Sequence, residues 1–133
     1  MKAIRARMTK GLQKDSRLEA CDNSGAKIVK IILVKGYKGV RGRCALAGIG
    51  DLVLVSVVSG RPDMRKQAVP AVIVRQKRSY RRPDGTRIAF MDNAVVVLKD
   101  DKGNPKGTLI KGPIAKEVVE RWSLIGKIAS VVV

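Results

Sequence analysis

Between residues 75 and 87 the chain concentrates side chains that are suited to binding anions. One acid, Asp84, is outnumbered there by six basic residues: Arg75, Lys77, Arg78, Arg81, Arg82 and Arg87. Arginine forms paired hydrogen bonds to phosphate, and lysine neutralises it as a compact charge. The same run contains Tyr80, an aromatic ring on which a nucleobase can stack. These residue types predict electrostatic recognition of a polyanion.

The element that carries these side chains is predicted to be a long β-hairpin. An apolar run precedes them at Val69–Val74, and a second one follows at Ala94–Leu98. Between the runs, Pro83–Asp84–Gly85 favours a turn, because Asp and Gly tolerate tight-turn dihedral angles and Pro fixes φ. We expect the apolar ends to lie in a barrel or sandwich and the cationic arms to project beyond it.

Two further segments are rich in basic residues. The loop 35–43 combines three glycines, which let the backbone approach a phosphate, with Tyr37 and four basic residues: Lys35, Lys38, Arg41 and Arg43. A flexible solvated loop has a similar composition, but contact with RNA is the favoured interpretation. The N-terminal segment, which includes Arg5, Arg7 and Lys10, fits equally well a solvated terminus or an arm that orders on RNA.

The charge balance of the whole chain points to a polyanionic partner. Its 133 residues contain 28 basic and 11 acidic ones, a net charge of +17, and self-repulsion of that size opposes folding. Nucleic acid is the first candidate. An anionic membrane surface is disfavoured, because the charge lies on loops between β-type runs and no apolar run reaches the ~18 residues that span a bilayer. We expect a cytoplasmic protein.

Enzymatic chemistry is not predicted. The chain has no histidine, which removes the Ser-His-Asp and Cys-His arrangements and the usual base at neutral pH. Cys21 and Cys44 lack metal-binding spacing and are expected to be reduced and semi-buried. No metal or cofactor is expected, and a lysine-dependent enzyme remains only as a remote alternative.

Hydrophobic patterning predicts a mainly β chain with a helical C-terminus. The expected strands include 17–21, 26–34 and 52–58, with a turn at 22–25. Gly112–Pro113 is expected to open a helix that runs to Trp122, with Pro at the first helical position. Ser123 is expected to cap a second short helix over 124–129. Trp122 completes an apolar stripe with Ile114 and Val118 and is assigned to the core.

The segment 71–97 resembles the signature of the universal large-subunit ribosomal protein fourteen family. The residues that carry the resemblance are Ala71–Val74, Asp84–Gly85, Phe90, Asn93 and Val96–Val97. Further matching motifs surround them at Asp22–Ala26, Gly50–Asp51, Gly107–Thr108 and Gly112–Pro113. The likeness covers residues 8–133 and favours the archaeal and eukaryotic branch, more specifically its archaeal side.

This resemblance implies a mainly β fold: a small closed five-stranded β-barrel with a projecting β-hairpin and one or two short C-terminal helices. The chain is then a single ribosomal protein domain with a basic arm (1–16), a barrel with its hairpin (17–98) and a C-terminal region (99–133). The implied partners are large-subunit ribosomal RNA, neighbouring ribosomal proteins, small-subunit RNA through a subunit bridge, and the anti-association initiation factor six.

The sequence therefore predicts a structural, non-enzymatic protein that binds ribosomal RNA mainly through phosphates. The expected RNA-contacting residues are Arg5, Arg7, Lys10, Lys35, Tyr37, Lys38, Arg41, Arg43, Arg75, Lys77, Arg78, Tyr80, Arg81 and Arg82. The expected contacts with protein partners are Gly107, Thr108, Lys116 and Arg121. A free-standing binder of single-stranded nucleic acid on an OB-like barrel is the alternative, although it would need more exposed aromatic side chains.

Overall fold

The computed structural model describes every residue from Met1 to Val133. Two short helices follow a chain of strands, so the mainly β class is confirmed. In chain order the elements are β1 (Leu12–Gln13), β2 (Arg17–Ala20), β3 (Ala26–Val34), β4 (Leu46–Ala47), β5 (Leu52–Gly60), β6 (Ala68–Arg75), β7 (Tyr80–Arg81), β8 (Arg87–Ile88), β9 (Ala94–Val97), β10 (Pro113–Ile114), α1 (Lys116–Arg121), α2 (Ser123–Ile128) and β11 (Val131–Val132).

Five of the strands close into a barrel in the order β2-β3-β5-β6-β9. Neighbouring strands are antiparallel except at the closure, where β2 runs parallel to β9 and Glu19 and Ala20 lie opposite Ala94 and Val95. The predicted closed five-stranded barrel is thereby confirmed. Its longest strands, β3 and β5, are the ones that the sequence indicates most clearly, since both are rich in β-branched residues.

The apolar side chains form two cores, one inside the barrel and one outside it. Along β6, Ala71 and Ile73 belong to the inner core, whereas Val72 and Val74 belong to the outer one. The same alternation holds along β9. Because both faces of these two strands are buried, their sequences are continuous apolar runs rather than alternating ones.

The outer core is covered by the C-terminal helices. Ile114, Val118 and Trp122 are all buried there, as the apolar stripe predicts, together with Ile125 of α2. Neither helix is long and apolar enough to cross a membrane.

Three expectations about local structure are wrong. Pro113 does not open the helix, because Pro113 and Ile114 form β10 and pair in parallel with β11; α1 begins at Lys116. The side chain of Ser123 caps no helix, since Ser123 is the first residue of α2 and its N-cap residue is Trp122. Of the two cysteines expected to be semi-buried, Cys21 is buried and Cys44 is exposed.

The predicted long hairpin is present. β6 pairs antiparallel with β9, and beyond this pairing β7 and β8 form a second, two-residue ladder in which Tyr80 lies opposite Ile88. The tip turns at Asp84, whose carboxylate accepts the backbone N–H of Thr86 at 2.9 Å. We call residues 76–90 the cationic hairpin below.

Candidate nucleic-acid interface

The N-terminal arm lies against the base of the cationic hairpin. Gln76 donates from its side-chain nitrogen to the carbonyl oxygen of Thr9 at 2.8 Å. Lys10 forms an ion pair with Asp51 at 3.5 Å, and β1 pairs with β4 through Leu12 and Ala47. Two basic segments that are far apart in the sequence are therefore held side by side by contacts within the protein.

Where the arm and the hairpin meet, they enclose an open groove with a cationic lining. Its residues are Arg5, Ala6, Arg7, Arg81, Arg82 and Pro83, and none of them is acidic. A neighbouring depression includes Arg7 and Lys10 but also Asp51. The first of these, which we call the arginine groove, has the chemistry that an RNA phosphate requires, because its charge has one sign and its arginines supply several donors each.

Strand alternation gives neighbouring residues in β7 and directly after it different exposures. Successive side chains of a strand point to opposite faces. Arg81 is exposed, whereas Tyr80 before it is fully buried and Arg82 after it is only partly accessible. The segment Tyr80–Arg82 thus splits into an exposed Arg81 and two inward residues, Tyr80 and Arg82.

Tyr80 and Arg82 converge on Glu117 of α1, which is 3% exposed. The carboxylate accepts the Tyr80 hydroxyl at 3.0 Å and the Arg82 Nε at 2.8 Å. Burial, and secondly the charge of Glu117, raise the pKa of Tyr80; the hydrogen bond to Glu117 raises the pKa of Arg82. The expectation that Tyr80 stacks on a base is wrong in this structure, because its ring is 0% exposed. Arg82 likewise uses its Nε and Nη2 donors inside the protein.

Arg75 is also an internal residue. Its guanidinium lies on Asp92, with Nε 2.9 Å from one carboxylate oxygen and Nη2 donating to the other at 3.0 Å. Nη1 donates to the carbonyl oxygens of Lys111 and Pro113. Because Arg75 is buried and its guanidinium lies against Asp92 and two backbone carbonyls, the expectation that it is a phosphate ligand does not fit this structure.

The remaining predicted RNA contacts lie on the surface. Lys77 and Arg78 are exposed on the cationic hairpin, and Lys38, Arg41, Arg43 and Tyr37 are exposed on the loop 35–43. Lys35 is exposed as well, although its Nζ lies 2.7 Å from a carboxylate oxygen of Asp101. The far end of this loop leads into β4, whose pairing with β1 attaches it next to the arm.

The four residues expected to contact protein partners differ in exposure. Gly107 is buried beneath Asn23, whose side-chain oxygen accepts the backbone N–H of Thr108 at 2.8 Å. Gly107 is therefore an internal packing position, which corrects the expectation for it. Lys116 is exposed, and Arg121 is half-buried with an ion pair to Asp51 at 3.5 Å.

Sequence reasoning did not identify Glu117 as part of this region. A signal for it exists, since Glu117 precedes Arg121 by four residues, which is the spacing of one helix face. An acid at such a position, beside an apolar stripe, indicates a partner of opposite charge in the packed protein.

Comparison with known proteins identifies what the chain resembles. Residues 11–133 match the family model described as ribosomal protein L14p/L23e. Over 133 residues, covering 100% of both chains, the sequence is 59% identical to the large ribosomal subunit protein uL14 of Nanoarchaeum equitans. It is 50% identical over the same length, again with full coverage of both chains, to the protein of that name from Halobacterium salinarum.

Proposed function

Since the chain belongs to the ribosomal protein L14p/L23e family, in its archaeal branch, we propose that its exposed basic residues bind large-subunit ribosomal RNA through the phosphates. Membership of this family makes the chain a structural protein of the large ribosomal subunit, and its place in the cell is the cytoplasmic ribosome. The rest of the proposal concerns which part of the protein surface contacts the RNA.

The arginine groove is the observation that carries this proposal. Arg5, Arg7 and Arg81 come from segments more than 70 residues apart in the sequence, yet they line one depression that contains no acid. A solvated surface gains nothing by gathering like charges, which repel each other. A phosphate backbone in the groove would turn that repulsion into attraction.

We extend the RNA-contacting surface to the exposed basic residues on either side of the groove. Arg78 and Lys77 continue it along the hairpin, and the loop 35–43 continues it beyond β4. The set is Arg5, Arg7, Lys10, Lys35, Tyr37, Lys38, Arg41, Arg43, Lys77, Arg78 and Arg81. Recognition is mainly of RNA shape and backbone, because few aromatic side chains are available to stack on bases.

The aromatic side chains favour this function over that of a free-standing single-strand binder. Such binders stack successive bases on exposed rings. Here Tyr80 and Trp122 are buried, Phe90 is partly buried, and Tyr37 is the one aromatic residue that is exposed. One exposed ring does not make a stacking platform.

The less basic C-terminal part is proposed to contact other ribosomal components. Residues 85–133 contain 8 of the 28 basic residues and 5 of the 11 acids, a balance closer to that of protein interfaces. Thr108, Lys116 and Arg121 are the proposed contacts for neighbouring ribosomal proteins. The bridge to small-subunit RNA and the docking of initiation factor six are proposed from the family resemblance.

The salt dependence of RNA binding tests the proposal. We would measure the affinity of the full chain for an in vitro transcribed archaeal large-subunit ribosomal RNA at several salt concentrations. Replacing Arg5, Arg7 and Arg81 together by Ala should weaken binding and lower the log–log salt slope by roughly 0.7 to 0.9 for each phosphate that the variant no longer neutralises. The same measurement on poly(U) tests the single-strand alternative.

A second variant with the same change in net charge distinguishes the loss of local phosphate contacts from the effect of net charge. Replacing Lys99, Lys102 and Lys127 by Ala removes the same charge from exposed positions of the C-terminal part. We expect this variant to keep nearly the full slope. An equal reduction in both variants would mean that only the net charge matters and that the arginine groove is not a binding site.

A further inference from the structure

We infer that Arg82 and Glu117 form a positioning pair, which fixes the cationic hairpin so that Arg81 completes the arginine groove in the free protein. Arg82 would accordingly be no phosphate ligand, although it lies in the most basic run of the chain. The inference rests on the proposed function, since it assigns how the RNA-binding surface is assembled.

Two of the three nitrogens of the Arg82 guanidinium are bound within the protein. Nε donates to one carboxylate oxygen of Glu117 at 2.8 Å, and Nη2 lies 3.4 Å from the other. Nη2 also donates to the Val133 carbonyl oxygen at 2.6 Å. With side chains 12% and 4% exposed, the two charges neutralise each other within the protein, and of the Arg82 nitrogens only Nη1 is left for a phosphate.

The hairpin needs such an attachment because its own pairing is short. β7 and β8 contribute two residues each, and an isolated ladder of this length is marginal in water. Tyr80 supplies a second contact to the same carboxylate. Helix α1, which bears Glu117, is in turn held on the barrel by the buried Val118 and Trp122. A continuous series of contacts thus runs from the barrel through α1 to Tyr80 and Arg82 of the hairpin.

Arg81 takes its place in the groove from this attachment. Its neighbours Tyr80 and Arg82 bind Glu117, whereas Arg81 between them is exposed and lines the groove with Arg5 and Arg7. Without the ion pair, the position of Arg81 relative to the arm would no longer be fixed. The free protein would then have to order the hairpin on binding, which costs affinity.

The direction in which one substitution changes the affinity for RNA distinguishes positioning from bulk electrostatics. Glu117→Gln removes an acid from a strongly basic protein, so electrostatics alone predicts equal or tighter RNA binding. The positioning pair predicts weaker binding, with a slope lower by roughly 0.7 to 0.9 if Arg81 no longer reaches its phosphate. Glu120→Gln is the matched control: Glu120 is an exposed acid of the same helix and lines the next depression together with Arg5 and Glu117. It should leave the slope unchanged and the affinity equal or slightly higher.

A double-mutant cycle with Arg81→Ala supplies a readout that a general decrease in stability would not produce. If Glu117 acts through Arg81, Glu117→Gln should have little further effect on affinity in the Arg81→Ala background. Arg82→Lys gives an independent variant, because it keeps the charge but cannot make the planar fork. A phosphate ligand would tolerate this change with its slope intact; a positioning residue would lose affinity non-additively with Arg81→Ala.

The probe is the same in vitro transcribed archaeal large-subunit RNA, with circular dichroism to establish that each variant is folded. Unchanged or tighter binding by Glu117→Gln with an unchanged slope would overturn the inference. So would additive effects of Arg82→Lys and Arg81→Ala, and this second comparison decides the matter if Glu117→Gln does not fold. Failure of the wild-type chain to bind the RNA at all would instead overturn the proposed function.

Discussion

The indole N–H of Trp122 donates to the carbonyl oxygen of Gly50 at 2.9 Å. This bond joins the end of helix α1 to the turn before β5, and Trp122 is itself only 4% exposed. The outer core is thereby tied to the barrel by a polar contact as well as by packing. The backbone carbonyl would have no other evident partner at this buried position.

Replacing Trp122 by Phe should destabilise the protein by about 1–3 kcal/mol, the cost of leaving a buried acceptor unpaired. Chemical denaturation followed by circular dichroism measures the effect, since the variant lacks the only tryptophan of the chain. Tyr37→Phe is the comparison, because Tyr37 is exposed, and should change stability by less than about 0.5 kcal/mol. Equal midpoints for both variants would contradict the role of the indole bond.

Alanine substitutions at Gly60 and Gly36 distinguish the stability cost of an unfavourable backbone conformation from that of a steric overlap. Both have positive φ, +151° and +81°, but a Cβ on Gly60 would overlap the carbonyl oxygen of Gly25, whereas Gly36 has open space around it. Gly36→Ala should cost about 1–2 kcal/mol through φ alone. Gly60→Ala should cost a further ~1–3 kcal/mol, because β3 and β5 must move apart. Denaturant unfolding of both variants measures the difference, and equal costs would show that the strands adjust freely.

The two cysteines should differ sharply in reactivity. Burial raises the pKa of Cys21 to about 12, and its thiol donates to the Val95 carbonyl oxygen at 3.3 Å. Cys44 is exposed. Because the thiolate is the reactive form, a thiol reagent near pH 8 should modify one cysteine in the native protein and both after denaturation. The native Cys44→Ser variant should show no rapid reaction, and fast labelling of that variant would place Cys21 at the surface.

Asp22 should make a contribution to the free energy of unfolding that falls as pH rises. Its carboxylate is buried and accepts the backbone N–H of Val97 at 3.1 Å. Burial, partly offset by its hydrogen bonds, raises the pKa of Asp22 above 3.8. The folded state therefore retains the proton to higher pH than the unfolded state, and this contribution is lost as pH rises from about 4 through the folded pKa.

Asp22→Asn removes that component, so its free energy of unfolding should decline less, or increase more, between pH 4 and pH 7 than that of the wild type. The comparison with wild type is essential, because Asp84 and Asp100 have lowered pKa values and give the opposite trend. Asp63→Asn, at an exposed turn position, serves as the control and should follow the wild-type curve. Parallel wild-type and Asp22→Asn curves would contradict the role of Asp22.

The barrel strands could be predicted from the sequence because the patterns that indicate them lie within short segments. Alternation and β-branched residues define β3 and β5 within nine residues each. Which arginines are buried and which stay exposed could not be predicted from the sequence, because this depends on partners that are distant in the chain. Arg82 and Glu117 are 35 residues apart and Arg75 and Asp92 are 17 apart. Within the basic run, buried and exposed arginines have the same local composition.

The helix start shows a similar limit. Pro113 satisfies the local preference for a first helical position, but pairing of β10 with the far end of the chain, at Val131 and Val132, takes precedence. The N-terminal arm and the cationic hairpin could each be predicted to be basic. That they meet in one groove could be seen only in the folded structure. Local patterns indicate which residues are charged, and tertiary contacts decide which charges stay available.

Closure of the barrel has a consequence for how the chain is made. The last barrel strand, β9, ends at Val97, and it pairs with both β6 and β2. A growing polypeptide that stops before Ala94 has an unpaired edge on each of those strands, which is the kind of surface that other chains adhere to. The nascent protein therefore cannot protect its hydrogen-bonding edges until nearly three-quarters of it has been synthesised, and its vulnerable period is set by this one four-residue strand.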